Sequence, residues 1–198
     1  HTGADEERYG IRPDVELARV LGEGAAYAMA EPHDGAVERG ARVLAEVVGV
    51  GQTTDVDEFL EPNRGTGGLE RAIRDALADA GWAASDVGLV LWSPQGNALD
   101  LRVPAALEAA LGAPGARVPL VTSVFHTGLI ESASGSATLA AVLAAWADGG
   151  GLWPQRTGLA ELDDRPLPAG PVRALALATS ELGFNLAIAL EPGQGVRG

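Results

Sequence analysis

Apolar residues recur along this chain at two distinct spacings, and the alternation between them predicts the elements. From Leu69 to Ala80 they fall at three- and four-residue steps: Leu69, Ala72, Ile73, Ala76, Leu77 and Ala80 on one side, with Glu70, Arg71, Arg74, Asp75 and Asp79 on the other. That is an amphipathic helix, stopped by Gly81. Asp86–Trp92 is apolar enough for a buried strand, as expected of a sheet covered on both faces. Asp100–Leu111 reads as a helix with Pro104 in its first turn, Val118–Thr122 as a strand, and Glu131–Trp146 as a long Ala-rich helix. Arg42–Val50, with four valines, reads as a strand, preceded by a short helix that Asp34 caps and Gly40 ends. Leu21–Glu31 is a small-residue strand candidate; Val172–Ala178 and Phe184–Leu190 are two short runs that pair as a hairpin around Glu181–Gly183. Gln52–Gly68 and Gly149–Gly170 are loops. Strands alternating with helices predict an α/β class with a mixed sheet. The division expected is a polar N-terminal segment over 1–19, one domain over 20–192 and a tail over 193–198.

Composition narrows the chemistry. The 198 residues carry a formal charge of −13, from 27 acidic and 14 basic side chains. That balance argues against nucleic acid and against an anionic membrane surface, both of which need clustered cations. Every basic residue is Arg, so Schiff-base chemistry, pyridoxal phosphate anchoring and a phosphate-loop lysine are all excluded for this chain. Cys is absent, which removes disulfides, thiolate metal sites and a cysteine nucleophile. The apolar stretch Leu139–Trp146 is too short to span a bilayer, and Asp5, Glu6, Glu7 and Arg8 leave no signal-peptide core. A cytoplasmic protein with no membrane association is the expectation. His1, His33 and His126 lack ligand spacing, so neither a metal nor another cofactor is expected, and the run Asp55, Asp57, Glu58 reads as solvating a loop.

Several segments, taken in order, resemble the C-terminal half of the β-ketoacyl synthases of the thiolase superfamily. Leu21-Gly22-Glu23-Gly24-Ala25-Ala26 is similar to the family's "LGEGAA"; Arg39–Val43 with Ala45–Gly51 to its "RGA…AEVVGYG" strand; Leu69–Val87 to the helix and turn before its first histidine loop; Thr127-Gly128 to the loop of its second histidine; and Gly183-Phe184-Asn185 to its closing glycine-rich motif. Each motif alone is weak, and their colinearity carries the case. The resemblance implies a thiolase-like layered fold in which helices cover a mixed sheet. It also implies decarboxylative condensation by a Cys from the N-terminal half, supported by two His and a Lys from this half.

Those three positions are replaced here. Ser93 stands at the first histidine, Val124 at the lysine and Leu129 at the second histidine. Valine and leucine cannot donate a hydrogen bond to an oxyanion or enolate, so the electrostatic contribution such chemistry needs is missing and no catalytic residue is expected. Loss of the histidines within a retained scaffold resembles the chain-length factor of type II polyketide synthases, as does Leu182–Ala187 beside that group's "GGFNAAL". The implied partners are an active ketosynthase subunit, or a chain supplying the N-terminal half, together with an acyl carrier protein. Phe125, His126, Gly183, Phe184 and Asn185 are the candidates for facing the acyl tunnel or partner. Ordinary core packing explains the two phenylalanines equally well, and Trp82 and Trp92 read as core or interface anchors. The Ala- and Ser-rich stretch 132–145 permits close helix packing, with a subunit interface as one use. Two other readings stay open: altered chemistry on the same scaffold, hydrolase or acyltransferase, with Ser93 or His126 as base; and a purely structural half of a split ketosynthase.

Overall fold

The computed structural model describes residues 21–55, 67–95, 100, 102–115, 117–149, 151–152, 165–180 and 182–193. The polar segment 1–19 and almost all of the tail 193–198 lie outside these residues, as do parts of both predicted loops. The described elements are α1 (His33–Glu38), β1 (Ala45–Thr54), α2 (Gly67–Ala80), β2 (Leu89–Trp92), α3 (Arg102–Gly115), β3 (Leu120–Val121), α4 (Val124–Thr127), α5 (Ser134–Ala147), β4 (Ala174–Thr179) and β5 (Phe184–Pro192). Single 3₁₀ turns at Ala84–Asp86 and Glu131–Ala133 precede β2 and α5. No helix among the described residues is long and apolar enough to cross a membrane.

The five strands form one mixed sheet in the order β1-β5-β4-β2-β3. β2 runs parallel to β3 and β4, while β4–β5 is an antiparallel hairpin, with Thr179 opposite Asn185, and β1 closes antiparallel on β5. Helices cover both faces, which explains why the strands read as continuous apolar runs. Val90, Trp92, Leu175, Leu177, Ala187 and Ala189 point to one side and pack against Ile73 and Leu77 of α2 and Val103 and Leu107 of α3. Their strand neighbours Leu89, Leu91, Ala174 and Leu190 point to the other, against Val142 and Trp146 of α5. The layered α/β fold expected from the sequence is present.

β1 and α2 approach closely because Gly49 and Gly51 lack side chains: a Cβ at Gly51 would sit 1.9 Å from the Ala72 carbonyl oxygen, and one at Gly49 2.3 Å from that of Ala76. Arg173 stacks over the Trp82 ring, 5.2 Å from its centroid, and its Nε donates to Glu191 at 3.0 Å. Trp82 is thus an anchor of the fold, as is the fully buried Trp92.

The predicted strand at Leu21–Glu31 joins no sheet among the described residues. Its single backbone tie is at the start, where Leu21 bridges Leu129 and the Gly22 N–H donates to the Leu129 carbonyl at 3.0 Å. The predicted helix from Glu131 begins as a 3₁₀ turn and becomes α-helical only at Ser134. α4 has no counterpart in the sequence pattern, since four residues are too few to display a period.

Candidate functional site

β2, β3 and β4 are parallel, so their C-terminal ends lie at one end of the sheet. Ser93 follows β2 there, Thr122 and Ser123 follow β3, and the turn leading to Phe184 follows β4. A βα arrangement of this kind collects polar loop residues at the carboxyl ends of its strands.

Thr138, one turn into α5 and 1% exposed, is the centre of a hydroxyl cluster. Its Oγ1 donates to the Ser134 carbonyl at 3.0 Å and accepts the Ser123 N–H at 3.0 Å. The Ser123 hydroxyl is 3.1 Å away and the Ser93 hydroxyl 3.4 Å. A hydroxyl has one proton and two lone pairs, so Ser123 fills the remaining capacity and Ser93 is held only weakly. Ser134 Oγ in turn accepts the Ile130 N–H at 2.8 Å. These bonds tie both loops to the start of α5.

On the other side of Ser123, Val124 and Leu129 lie 1% and 7% exposed and pack with the half-buried Phe125 as a small apolar cluster. Gly128, at φ 73°, makes the turn between α4 and Leu129. Gly22 seals this loop, since a Cβ there would sit 1.9 Å from the Thr127 carbonyl oxygen. The structure therefore brings Ser93, Val124, Phe125 and Leu129 into one region. His126 lies on the same helix but is exposed, and its N–H donates to the Ser123 carbonyl at 2.8 Å. Among the described residues no hydrogen bond joins its ring to Ser93 or Ser123. Ser93, Val124 and Leu129, the positions expected to be degenerate, supply one hydroxyl and two aliphatic side chains.

Gly183, Phe184 and Asn185 belong to a second cluster. Gly183 is buried at φ 78°, a conformation that favours glycine, and Phe184 is half-buried. Asn185 Nδ2 donates to Asp55 Oδ2 at 2.9 Å and to the Gly183 carbonyl at 3.0 Å. The Asp55 N–H also donates to the Gly183 carbonyl, at 2.9 Å, and Arg71 donates to Asp55 Oδ1 at 3.0 Å. Asp55 itself does not merely solvate a loop, as its acidic run suggested: it clamps the β4–β5 turn to the exit of β1 and the start of α2. Asp57 and Glu58 lie outside the described residues. Gly68 leaves room for this, because a Cβ there would lie 1.8 Å from Asp55 Oδ2.

Sequence reasoning also missed Ser123, Ser134, Thr138 and Asp100. Asp100, 2% exposed, accepts the Gln95 N–H at 2.9 Å and steadies the loop after Ser93. The signal available for the first three was Ser134 and Thr138 themselves, polar residues four apart in a helix that is apolar apart from them and Ser136.

No protein-family model matches the chain. A candidate polyketide β-ketoacyl synthase 2 of Streptomyces coelicolor is 34% identical over 201 residues, covering 96% of this chain and 46% of the relative. The 3-oxoacyl-[acyl-carrier-protein] synthase 2 of Vibrio cholerae is 33% identical over 122 residues, 59% of this chain and 29% of that protein. Among solved structures, the ishigamide ketosynthase/chain length factor superposes with a TM-score of 0.71 at 24% identity, covering 96% of this chain and 50% of that one. A type II polyketide synthase acyl-carrier protein in complex with its ketosynthase bound to the hexaketide gives 0.69 at 20% identity, covering 96% and 52%. The chain spans at most about half the length of these curated relatives. On sequence similarity and shared thiolase-like fold together, it belongs to the β-ketoacyl synthase family.

Proposed function

We propose that this chain is a non-condensing ketosynthase-like subunit that works with an active ketosynthase and an acyl carrier protein, and that it limits the space open to a growing acyl chain. The observation that carries the reading is the state of the replaced positions. Val124 and Leu129 form an apolar plug with Phe125, and Ser93 faces the Thr138 hydroxyl. Condensation develops negative charge on a thioester oxygen, which needs donors aimed at it in a dry site, and neither aliphatic side chain has one. The scaffold nonetheless keeps its loops in place through the hydroxyl cluster and glycine turns. A retained scaffold without the donors suits a role of shape rather than chemistry. The similar structures, a ketosynthase/chain length factor and a carrier protein in complex with its ketosynthase, support partners of the same kind for this chain. The hydrolase reading has less behind it, since the Ser93 hydroxyl bonds to Thr138 rather than to an imidazole.

The test is reconstitution of polyketide or fatty-acid-type assembly from the active ketosynthase, the carrier protein and this chain. Omitting the chain is expected to abolish product or change its length, and Phe125→Trp or Phe184→Trp is expected to shorten it. An unchanged product without the chain refutes the proposal. So does condensing or thioester-cleaving turnover that depends on Ser93 or His126.

A further inference from the structure

Among the described residues β1 is an edge of the sheet, bonded to β5 on one side. It is ten residues long, and its Val47 and Val50 are 60% and 45% exposed. A long edge with exposed apolar side chains is a template on which another chain can lay a strand. What stands at its outward backbone groups therefore decides whether it stays single.

The register identifies those groups. Successive residues of an antiparallel strand point their N–H and C=O alternately toward the partner and away from it. The Val50 N–H leaves the ladder and donates to Asp79 Oδ2 at 3.0 Å. The Asp55 N–H points inward, to the Gly183 carbonyl at 2.9 Å. Gly49, Gly51 and Thr53 thus face β5, while Val50, Gln52 and Thr54 face the open edge. Asp79 lies in the last turn of α2, which approaches β1 so closely that a Cβ at Gly49 would sit 2.7 Å from the Ala80 nitrogen. Its carboxylate is, among the described residues, the one side chain that bonds an outward N–H of β1. A second feature lies beside it. The register shifts between Val47 and Gly49, leaving Val48 without a partner on β5 and bending the edge next to the exposed valines.

We infer that Asp79 guards this edge, keeping a second copy of the chain from pairing its β1 with this one. An incoming carbonyl, itself an acceptor, finds the central donor taken and a negative charge beside it. A second β1 is the strand to be excluded, because an antiparallel edge is complementary to its own copy. A pair centred on Val50 would also bring the two Val50 side chains together on one face. The contact acts on association and is independent of the proposed role in chain length.

Sedimentation velocity of the natively assembled protein tests this, comparing the parent with Asp79→Ala and Asp75→Ala. Asp75 is an exposed acid of the same helix, and among the described residues it has no bond to β1, so its loss removes the same charge without opening the edge. Asp79→Ala is expected to strengthen self-association about tenfold or more, and Asp75→Ala to leave it unchanged. Adding Gln52→Pro to Asp79→Ala removes a neighbouring outward donor without touching the β5 ladder, and is expected to restore the parent's behaviour. Amide hydrogen exchange gives a second readout in the parent alone: the Val50 N–H is expected to exchange about tenfold or more slowly than those of Gln52 and Thr54, a difference that Asp79→Ala abolishes. Equal exchange at the three amides of the parent overturns the inference. So does an Asp79→Ala assembly of unchanged mass, an Asp75→Ala variant that associates as strongly, or an association that Gln52→Pro fails to reverse.

Discussion

Replacing Thr138 by valine removes one oxygen from the centre of the hydroxyl cluster while keeping the side chain's shape. The cost follows from what each partner has left. The Ser134 carbonyl keeps its helical bond, and a back-bond of this kind adds little to helix stability, so its loss is nearly neutral. The Ser123 N–H, buried and bonded to Thr138 at 3.0 Å, has no other acceptor and carries a desolvation penalty of about 1–3 kcal/mol once orphaned. The Ser123 hydroxyl at 3.1 Å loses a neutral bond worth about 1 kcal/mol. The Ser93 contact, at 3.4 Å, is too long to add much. Thr138→Val should therefore destabilise by about 2–4 kcal/mol, against about 1 kcal/mol for Thr138→Ser, which loses only a buried methyl. Urea unfolding reads the difference as a fall in midpoint at constant slope. If the valine variant lies within about 0.5 kcal/mol of the parent, or serine costs as much as valine, the hydroxyl cluster does not hold the loops and the reasoning fails.

Three further outcomes are expected. Gly51→Val drives a side chain into the Ala72 backbone, 1.9 Å from the glycine's missing Cβ, and should cost about 3 kcal/mol in thermal unfolding, whereas Gly35→Ala in α1, with nothing within 4 Å, should be neutral or slightly stabilising. Asn185→Ala should cost about 2 kcal/mol because Asp55 Oδ2 loses the Asn185 donor while Arg71 still serves Oδ1, and Asn185→Asp should cost more because it sets a second carboxylate there, both read by denaturant unfolding. Trp146, 1% exposed, buries an Nε1–H without a partner, so Trp146→Phe should lie within about 1 kcal/mol of the parent while Trp146→Ala costs about 3–5 kcal/mol, a contrast that calorimetry measures.

Much of this architecture was legible because burial imposes a period. The stripe Leu69–Ala80 became α2 with Leu69, Ala72, Ile73, Ala76 and Leu77 buried and Ala80 half-buried, and the apolar run into Trp92 became a shorter strand covered on both faces: Val90 and Trp92 serve one layer, Leu89 and Leu91 the other. The hairpin was legible through Gly183, whose positive φ a glycine accepts. The misses share a cause. Thr138 meets Ser93 across 45 residues and Asn185 meets Asp55 across 130, and no local pattern encodes which distant partner a polar side chain will find. Leu21–Glu31 shows the complementary case. The residues favour an extended chain, but a strand exists only with a neighbour to bond to, and among the described residues this segment has one bridge.

The side chains around Ser93, Val124 and Leu129 divide along one physical line. The buried groups Ser123, Ser134 and Asp100 find partners within the fold, in Thr138, Ile130 and Gln95. At Val124 and Leu129, by contrast, the surroundings are apolar, and an ammonium or imidazolium there would be buried without a partner unless substrate or a second protein supplied one. Aliphatic carbon at Val124 and Leu129 carries no such cost. The proposed non-condensing role therefore asks only packing of these two positions, while the turn at Gly128 and the hydroxyl cluster shape the loops around them.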